Sequence, residues 1–217
     1  MKNAMDYKGL RIEWLNHHAG FLITAKTGRK IFIDPWELKG GHSADIILVT
    51  HPHYDHFSPD DIRKLRTSST IVIAPAECNE QLGRTFKPCR AGSKFHEDGI
   101  IIEAVPAYNT NKFRAPGEPF HPKERQWCGY IVDIDGVQIY HAGDTDHIPE
   151  MNEFPELDIA LVPCGGTYTM TAVEAAEACN AMKPKIAVPM HWGKIVGSRK
   201  DADAFARAFS GETRILE

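Results

Sequence analysis

Residues 44–50 read ADIILVT, and residues 51–56 read HPHYDH. A near-continuous apolar run of this length is the pattern of a β-strand covered on both faces, which calls for a layered α/β architecture around it. Ligand sites in such architectures lie beyond the carboxyl ends of strands, and this strand runs straight into three histidines and an aspartate. His51, His53 and Asp55 alternate. In extended backbone alternate side chains point to the same side, so His51 and His53 can grip one metal ion. Asp55 and His56 are adjacent, and in a turn they can diverge to serve a second ion. Imidazole and carboxylate ligands suit zinc, and also manganese or iron.

The rest of the chain keeps to the same alternation. Short strands are expected at 10–15, 21–25 and 30–34, separated by turn residues. Ser58, Pro59, Asp60 and Asp61 form a helix start, with serine as cap, proline at the first position and acids in the first turn, running to about Arg66. A strand at 70–74, a short helix at 77–83 and a strand at 99–105 follow. Gly129–Ile134 and Val137–His141 flank Asp135-Gly136, a hairpin signal. Then come a buried-type strand at 158–163, a helix at 171–182 opened by a capping box of Thr171 and Glu174, a strand at 185–189, a helix at 201–209 and a terminal strand at 213–216. Residues 106–127 are polar, aromatic and proline-bearing without a clear period, which fits a lid or binding loop. Neither a short repeat nor a linker is evident, so residues 1–217 read as one domain.

Composition narrows the partners. The net charge is −4 with no basic run, which argues against a nucleic-acid binder and leaves a small-molecule substrate; that substrate can be anionic, because a metal supplies positive charge locally. No apolar run approaches a bilayer span, so membrane association is not expected. The five cysteines are odd in number and form no C-x-x-C pair, so they read as small buried hydrophobes in a reducing compartment, with the cytoplasm as the expected location. A homo-oligomer is compatible with all of this.

At Thr50-His51-Pro52-His53-Tyr54-Asp55-His56 the chain resembles the metallo-β-lactamase fold superfamily. Gly143-Asp144-Thr145 resembles that family's strand-end aspartate, and Pro189-Met190-His191-Trp192-Gly193 its last histidine motif. Leu15, His18-Ala19-Gly20-Phe21 and Ile33-Asp34-Pro35-Trp36 are similar to the N-terminal motifs of the branch that contains the ascorbate-phosphate lactonase. Order and spacing match over almost the whole chain. The resemblance implies a four-layer αββα sandwich of the α/β (α+β) class and a metal-dependent hydrolase carrying two zinc ions. It implies that His51, His53 and a further histidine hold one ion, that Asp55, His56 and His191 hold the other, and that Asp144 bridges. The nucleophile would be a hydroxide between the ions, with Asp55 orienting it or taking its proton. The bond cleaved would be an ester, lactone or phosphodiester. The alternatives are a nuclease of the same fold and a redox di-metal protein.

The family's third histidine for the first ion is missing from its usual place, where the chain reads Pro106-Ala107-Tyr108-Asn109. Three readings stay open: His121 swings in from the long loop, Asn109 is a weak ligand or substrate contact, or the first ion is absent. His18 either faces the site or is a hydrogen-bonded histidine near a turn. Asp34 either orients a ligating histidine or caps the turn before Pro35. Lys123 and Trp192 are candidate substrate contacts. His141 reads as a packed histidine, and His17, His42 and His96 as surface residues. Asp146 and His147 line the mouth or merely solvate it. Gly165-Gly166 either supports an anion at the following helix start or permits close backbone approach.

Overall fold

An antiparallel meander opens the chain: β1 (Ala4–Tyr7), β2 (Leu10–Leu15), β3 (Gly20–Thr24) and β4 (Lys30–Ile33). Lys8 and Gly9 both take positive φ between β1 and β2, as a two-residue hairpin turn of matching twist requires. The computed structural model describes residues 3–83 and 85–217; the described residues divide into two compact units, one up to Cys89 together with 216–217, the other of residues 90–215.

In the first unit the sheet changes from antiparallel to parallel pairing at β4. Next to it lie β5 (Ile46–Leu48), β6 (Ile71–Pro75) and β7 (Lys87–Cys89), all parallel. All three residues of β5 are buried, as the apolar run predicts. Between β5 and β6 lies α1 (Pro59–Leu65), whose Ser58 cap accepts from the Asp61 N–H at 3.2 Å. It buries Ile62 and Leu65 with Phe32, Ile47, Val49 and Val72. A 3₁₀ turn (Ala76–Cys78) leads into the single turn α2 (Asn79–Leu82).

The second unit repeats the plan. Antiparallel strands β8 (Lys94–Glu97) and β9 (Ile100–Pro106) come first. The long segment that follows contains a small hairpin, β10 (Phe113–Ala115) and β11 (Glu118–Pro119), and a 3₁₀ turn (Lys123–Arg125), where sequence periodicity shows nothing. β12 (Cys128–Ile134) then pairs with β9, setting Cys128 opposite Pro106 and so closing the base of that segment. β13 (Val137–His141) turns back through Asp135-Gly136, both at positive φ. After a 3₁₀ turn (Pro149–Glu153) come the parallel strands β14 (Ile159–Pro163), β15 (Ile186–Met190) and β16 (Glu212–Thr213). α3 (Ala172–Met182) carries the expected capping box of Thr171 and Glu174. α4 (Arg199–Ala208) begins two residues before its expected start, because Ser198 and Asp201 form a second capping box.

Parallel pairing places strand carboxyl ends side by side. In the first unit the ends of β4 and β5 deliver Asp34 and Thr50 next to each other. In the second, the ends of β13 and β15 deliver Asp144 and His191 on either side of β14.

Candidate functional site

In the first unit the site grows from Asp34. Its backbone is left-handed, with φ 46°, and its carboxylate is fully buried. One carboxylate oxygen accepts the Thr50 backbone N–H at 2.8 Å. The other accepts the Thr50 hydroxyl at 2.6 Å and His56 Nδ1 at 2.7 Å. A threonine hydroxyl has one proton, and Thr50 gives it to Asp34. His51 Nδ1, 2.9 Å from the same hydroxyl oxygen, must therefore be the donor in that contact. Both His51 and His56 thus carry their proton on Nδ1 and present Nε2 as the lone-pair nitrogen. This is the outer support expected of ligating histidines.

The donor geometry suits a cation. His51 Nε2 and His53 Nδ1 lie 3.0 Å apart. Two nitrogens sharing one tetrahedral zinc at about 2.0–2.1 Å are separated by roughly 3.3 Å. His18, Asp55 and His56 each place a ligand atom within 4.8 Å of the others. His18 Nε2 is 2.8 Å from Asp55 Oδ2, and the Trp14 indole N–H fixes the His18 carbonyl at 2.6 Å. Gly20 belongs to this frame: a Cβ there would sit 2.8 Å from the Asp34 carbonyl oxygen. Such an intrusion would displace the residue that orients His51 and His56.

In the second unit the centre is Asp144. His121 Nε2 and His191 Nε2 lie 3.3 and 3.2 Å from its Oδ2. His121 does reach inward from the long segment. Asn109 Oδ1 accepts both the His121 backbone N–H and His121 Nδ1, each at 2.8 Å. A backbone N–H can only donate, so that amide atom is the oxygen and His121 again presents Nε2. The Asn109 amide nitrogen donates to Asp146 Oδ1 at 3.2 Å and to the Tyr168 carbonyl at 3.0 Å. Asn109 therefore spends its amide on holding His121 and the neighbouring backbone. His191 is left-handed, with φ 58°, a conformation a non-glycine residue keeps only when its surroundings enforce it. Gly165 supplies part of that enforcement. A Cβ there would lie 2.2 Å from the His191 carbonyl oxygen, so the glycine serves close backbone approach.

Three further residues play parts that the sequence did not reveal. Asp146 is buried and takes the Thr110 and Asn111 N–H groups at 2.6 and 2.9 Å, anchoring the long segment rather than lining a mouth. Glu150 accepts the Tyr108 hydroxyl and the Lys123 ammonium, both at 2.9 Å. Lys123, a candidate substrate contact, thus has its charge matched by Glu150. Trp192 is buried and donates its indole N–H to the Pro189 carbonyl at 3.0 Å. His141 is packed, as expected, with Nδ1 accepting the Gly143 N–H at 3.1 Å. His17, His42 and His96 are exposed. All five cysteines are buried and none is in a disulfide, and burial pushes Cys78 up to about 12, as in inert structural cysteines.

The long segment is also tied to α3. Lys112 Nζ donates to Glu174 at 2.8 Å, and the Asn111 amide donates at 2.9 Å. Burial raises the Glu174 carboxyl, but Lys112, the Thr171 N–H and Asn111 outweigh it and hold it down to about 2, against an ordinary 4.5. A folded-state pKa below the unfolded value gives stability that is fully present above pH 4.5 and lost as pH falls towards 2. The contribution is on the order of 1–3 kcal/mol. Between pH 5 and 2.5 the melting temperature of the wild type should fall more steeply than that of Glu174→Gln. Parallel curves would show that these contacts carry no net stability.

With both clusters described, the comparison with known proteins is direct. A model of the β-lactamase superfamily domain matches residues 11–191. The chain belongs to the metallo-β-lactamase superfamily. The matched stretch runs through both compact units. Among its relatives, a UPF0173 metal-dependent hydrolase of Thermococcus kodakarensis is 34% identical, over 95% of this chain and 95% of the relative. One from Thermus thermophilus is 32% identical, over 91% of this chain and 90% of the relative. A crystal structure from Parabacteroides distasonis, designated a metal-dependent hydrolase, matches with a TM-score of 0.85 at 34% identity, covering 100% of this chain and 98% of the other. The chain is thus a metal-dependent hydrolase of this superfamily and has its mixed fold of sheets and few helices. Among the described residues no helix is long and apolar enough to cross a membrane.

Proposed function

We propose that this UPF0173 family member hydrolyses an ester, lactone or phosphodiester bond of a small molecule, as one domain spanning residues 1–217 that works with two zinc ions. Manganese and iron are the alternative ions that the donor set accommodates. His51, His53, Asp55, His56, His121, Asp144 and His191 take the ligand roles that the family resemblance implies. The observation that carries this reading is the tautomer control. In His51, His56 and His121 a buried oxygen accepts the Nδ1 proton and leaves Nε2 as the donor atom.

Bound ions would supply Lewis acidity, lowering the pKa of water and offsetting charge that builds on the substrate oxygen. The chain's own residues do the rest. Asp55, whose Oδ2 lies 2.8 Å from His18 Nε2, would orient the attacking hydroxide or take its proton, and the His18 contact supports that role. Trp192 and Asn109 are buried and spend their polar groups within the protein, so their part in substrate binding is one of shape. An anionic substrate group would meet the ions rather than Lys123. The buried thiols favour a reducing compartment, the cytoplasm.

The test is metal analysis together with turnover of chromogenic esters, lactones and phosphodiesters, before and after chelation. We expect about two ions per chain and activity that disappears with the chelator and returns with zinc. Fewer than one tightly held ion, together with no metal-dependent turnover on any of the three bond classes, would sink the reading.

A further inference from the structure

Tyr54 stands between the residues read as ligands, yet it is 68% exposed while His51, Asp55, His56 and Phe57 are buried. The turn does not need an aromatic ring there. It is held by backbone bonds, the His53 carbonyl accepting the N–H groups of His56 at 3.0 Å and Phe57 at 2.8 Å.

What Tyr54 meets is Trp36, edge to face, with ring centroids 6.0 Å apart at 76°. Trp36 in turn packs against the His18 imidazole at 5.3 Å, and His18 reaches Asp55. The Trp36 segment is fixed rather than loose. Pro35 precedes it, and the Asn16 amide donates to the carbonyls of both Trp36 and Glu37. Asn16, His17, Asp34 and Glu37 all hold left-handed backbone without being glycine, a cluster of strain that persists only where the surroundings over-determine it and that gathers at ligand sites. An aromatic pair with one face in water, built on a rigid frame beside the histidine cluster, is a surface of high apolar content and defined geometry.

We propose that Tyr54 and Trp36 form an aromatic wall that receives a planar, apolar group of the substrate beside the bond to be cleaved. The proposal rests on the reading of His51–His56 as metal ligands. It makes Tyr54 and Trp36 specificity-determining residues, and it makes the preferred substrate one with an aryl or similarly flat group next to the scissile carbonyl or phosphoryl centre.

The experiment compares binding of 2-naphthoate and acetate to the zinc-loaded full chain by calorimetry, in the wild type, Tyr54→Ala and Tyr54→Phe. Naphthoate should bind at least tenfold more tightly than acetate to the wild type. Tyr54→Phe should keep that preference, and Tyr54→Ala should shrink it roughly three- to tenfold, the range one aromatic contact carries, at unchanged zinc content. Equal losses for both carboxylates, an unchanged preference in Tyr54→Ala, no measurable naphthoate binding to the wild type, or a fall in zinc content with the alanine variant would each overturn the proposal. Because the readout is binding and not turnover, a failure to hydrolyse any ester bears on the proposed function alone. Discrimination lost in an active enzyme bears on the wall alone.

Discussion

Asp34→Asn is expected to lower metal affinity by roughly 100-fold, the upper end of what losing an outer hydrogen-bond partner of a ligand costs. The reason is that one carboxylate oxygen sets two tautomers. Oδ2 accepts from both the Thr50 hydroxyl and His56 Nδ1. With an amide NH₂ in its place, His56 Nδ1 must become the acceptor and its proton moves to Nε2. The Thr50 hydroxyl must likewise accept from the amide and turn its own proton onto His51 Nδ1, which moves the His51 proton to Nε2 as well. Both imidazoles would then point an N–H where a lone pair is required. Asparagine leaves the rest of the job intact. It tolerates left-handed backbone, so φ 46° is not strained further, and it caps turns as well as aspartate does. The chelated variant should therefore melt within a few degrees of the chelated wild type while its zinc dissociation constant rises. If zinc affinity stays at the wild-type level, Asp34 is a turn cap and nothing more.

That experiment separates the two readings that the sequence alone left open for Asp34, and it shows where sequence signals end. Buried strands and helix caps were legible because each rests on a local rule: the apolar run of β5, Ser58 and Pro59 at α1, Asp135-Gly136 between β12 and β13. The ligand candidates were legible because they crowd strand ends. Edge elements were not. β8 reads Lys-Phe-His-Glu and faces water, so it has no apolar signature, although Asp98-Gly99, both at positive φ, is the same hairpin signal as Asp135-Gly136. The sequence signal for the start of α4 is weak because aspartate, rather than glutamate or glutamine, fills the third position of its capping box. The polar supports were hardest. Thr50 reaches Asp34 across 16 residues, and Asn109 reaches His121, Asp146 and Tyr168 across 12, 37 and 59, and no local pattern announces these partners. The gap at the third histidine is the clearest case. His121 becomes a neighbour of Asp144 only because β9 and β12 pair Pro106 with Cys128, which folds the intervening segment back so that the Asn109 N–H meets the His121 carbonyl at 2.8 Å.

The second large effect follows from that closure. Asp144→Ala removes the carboxylate on which His121 and His191 converge, at 3.3 and 3.2 Å. If Asp144 is shared by both ions, its loss should empty both positions and drop kcat/KM by about a thousandfold or more, since Lewis-acid stabilisation is worth several kcal/mol and each 1.36 kcal/mol is tenfold in rate. His121→Ala should behave differently. On the proposed reading it removes a ligand of one ion, so zinc content should fall from two per chain to about one, while the ion assigned to Asp55, His56 and His191 stays. Asn109→Ala is the discriminating companion. It leaves the His121 imidazole in place but deletes the acceptor that fixes its tautomer, so one ion should be retained with an affinity lowered about 10–100-fold rather than lost. The stoichiometries of the three variants, measured at a fixed free-zinc concentration, form a ladder: none, one, and two that titrate separately. Two tightly held ions in His121→Ala would remove this histidine from the ligand set. One ion in the wild type itself would make the protein a single-metal hydrolase, with Asn109 and His121 serving the fold of the 106–127 segment.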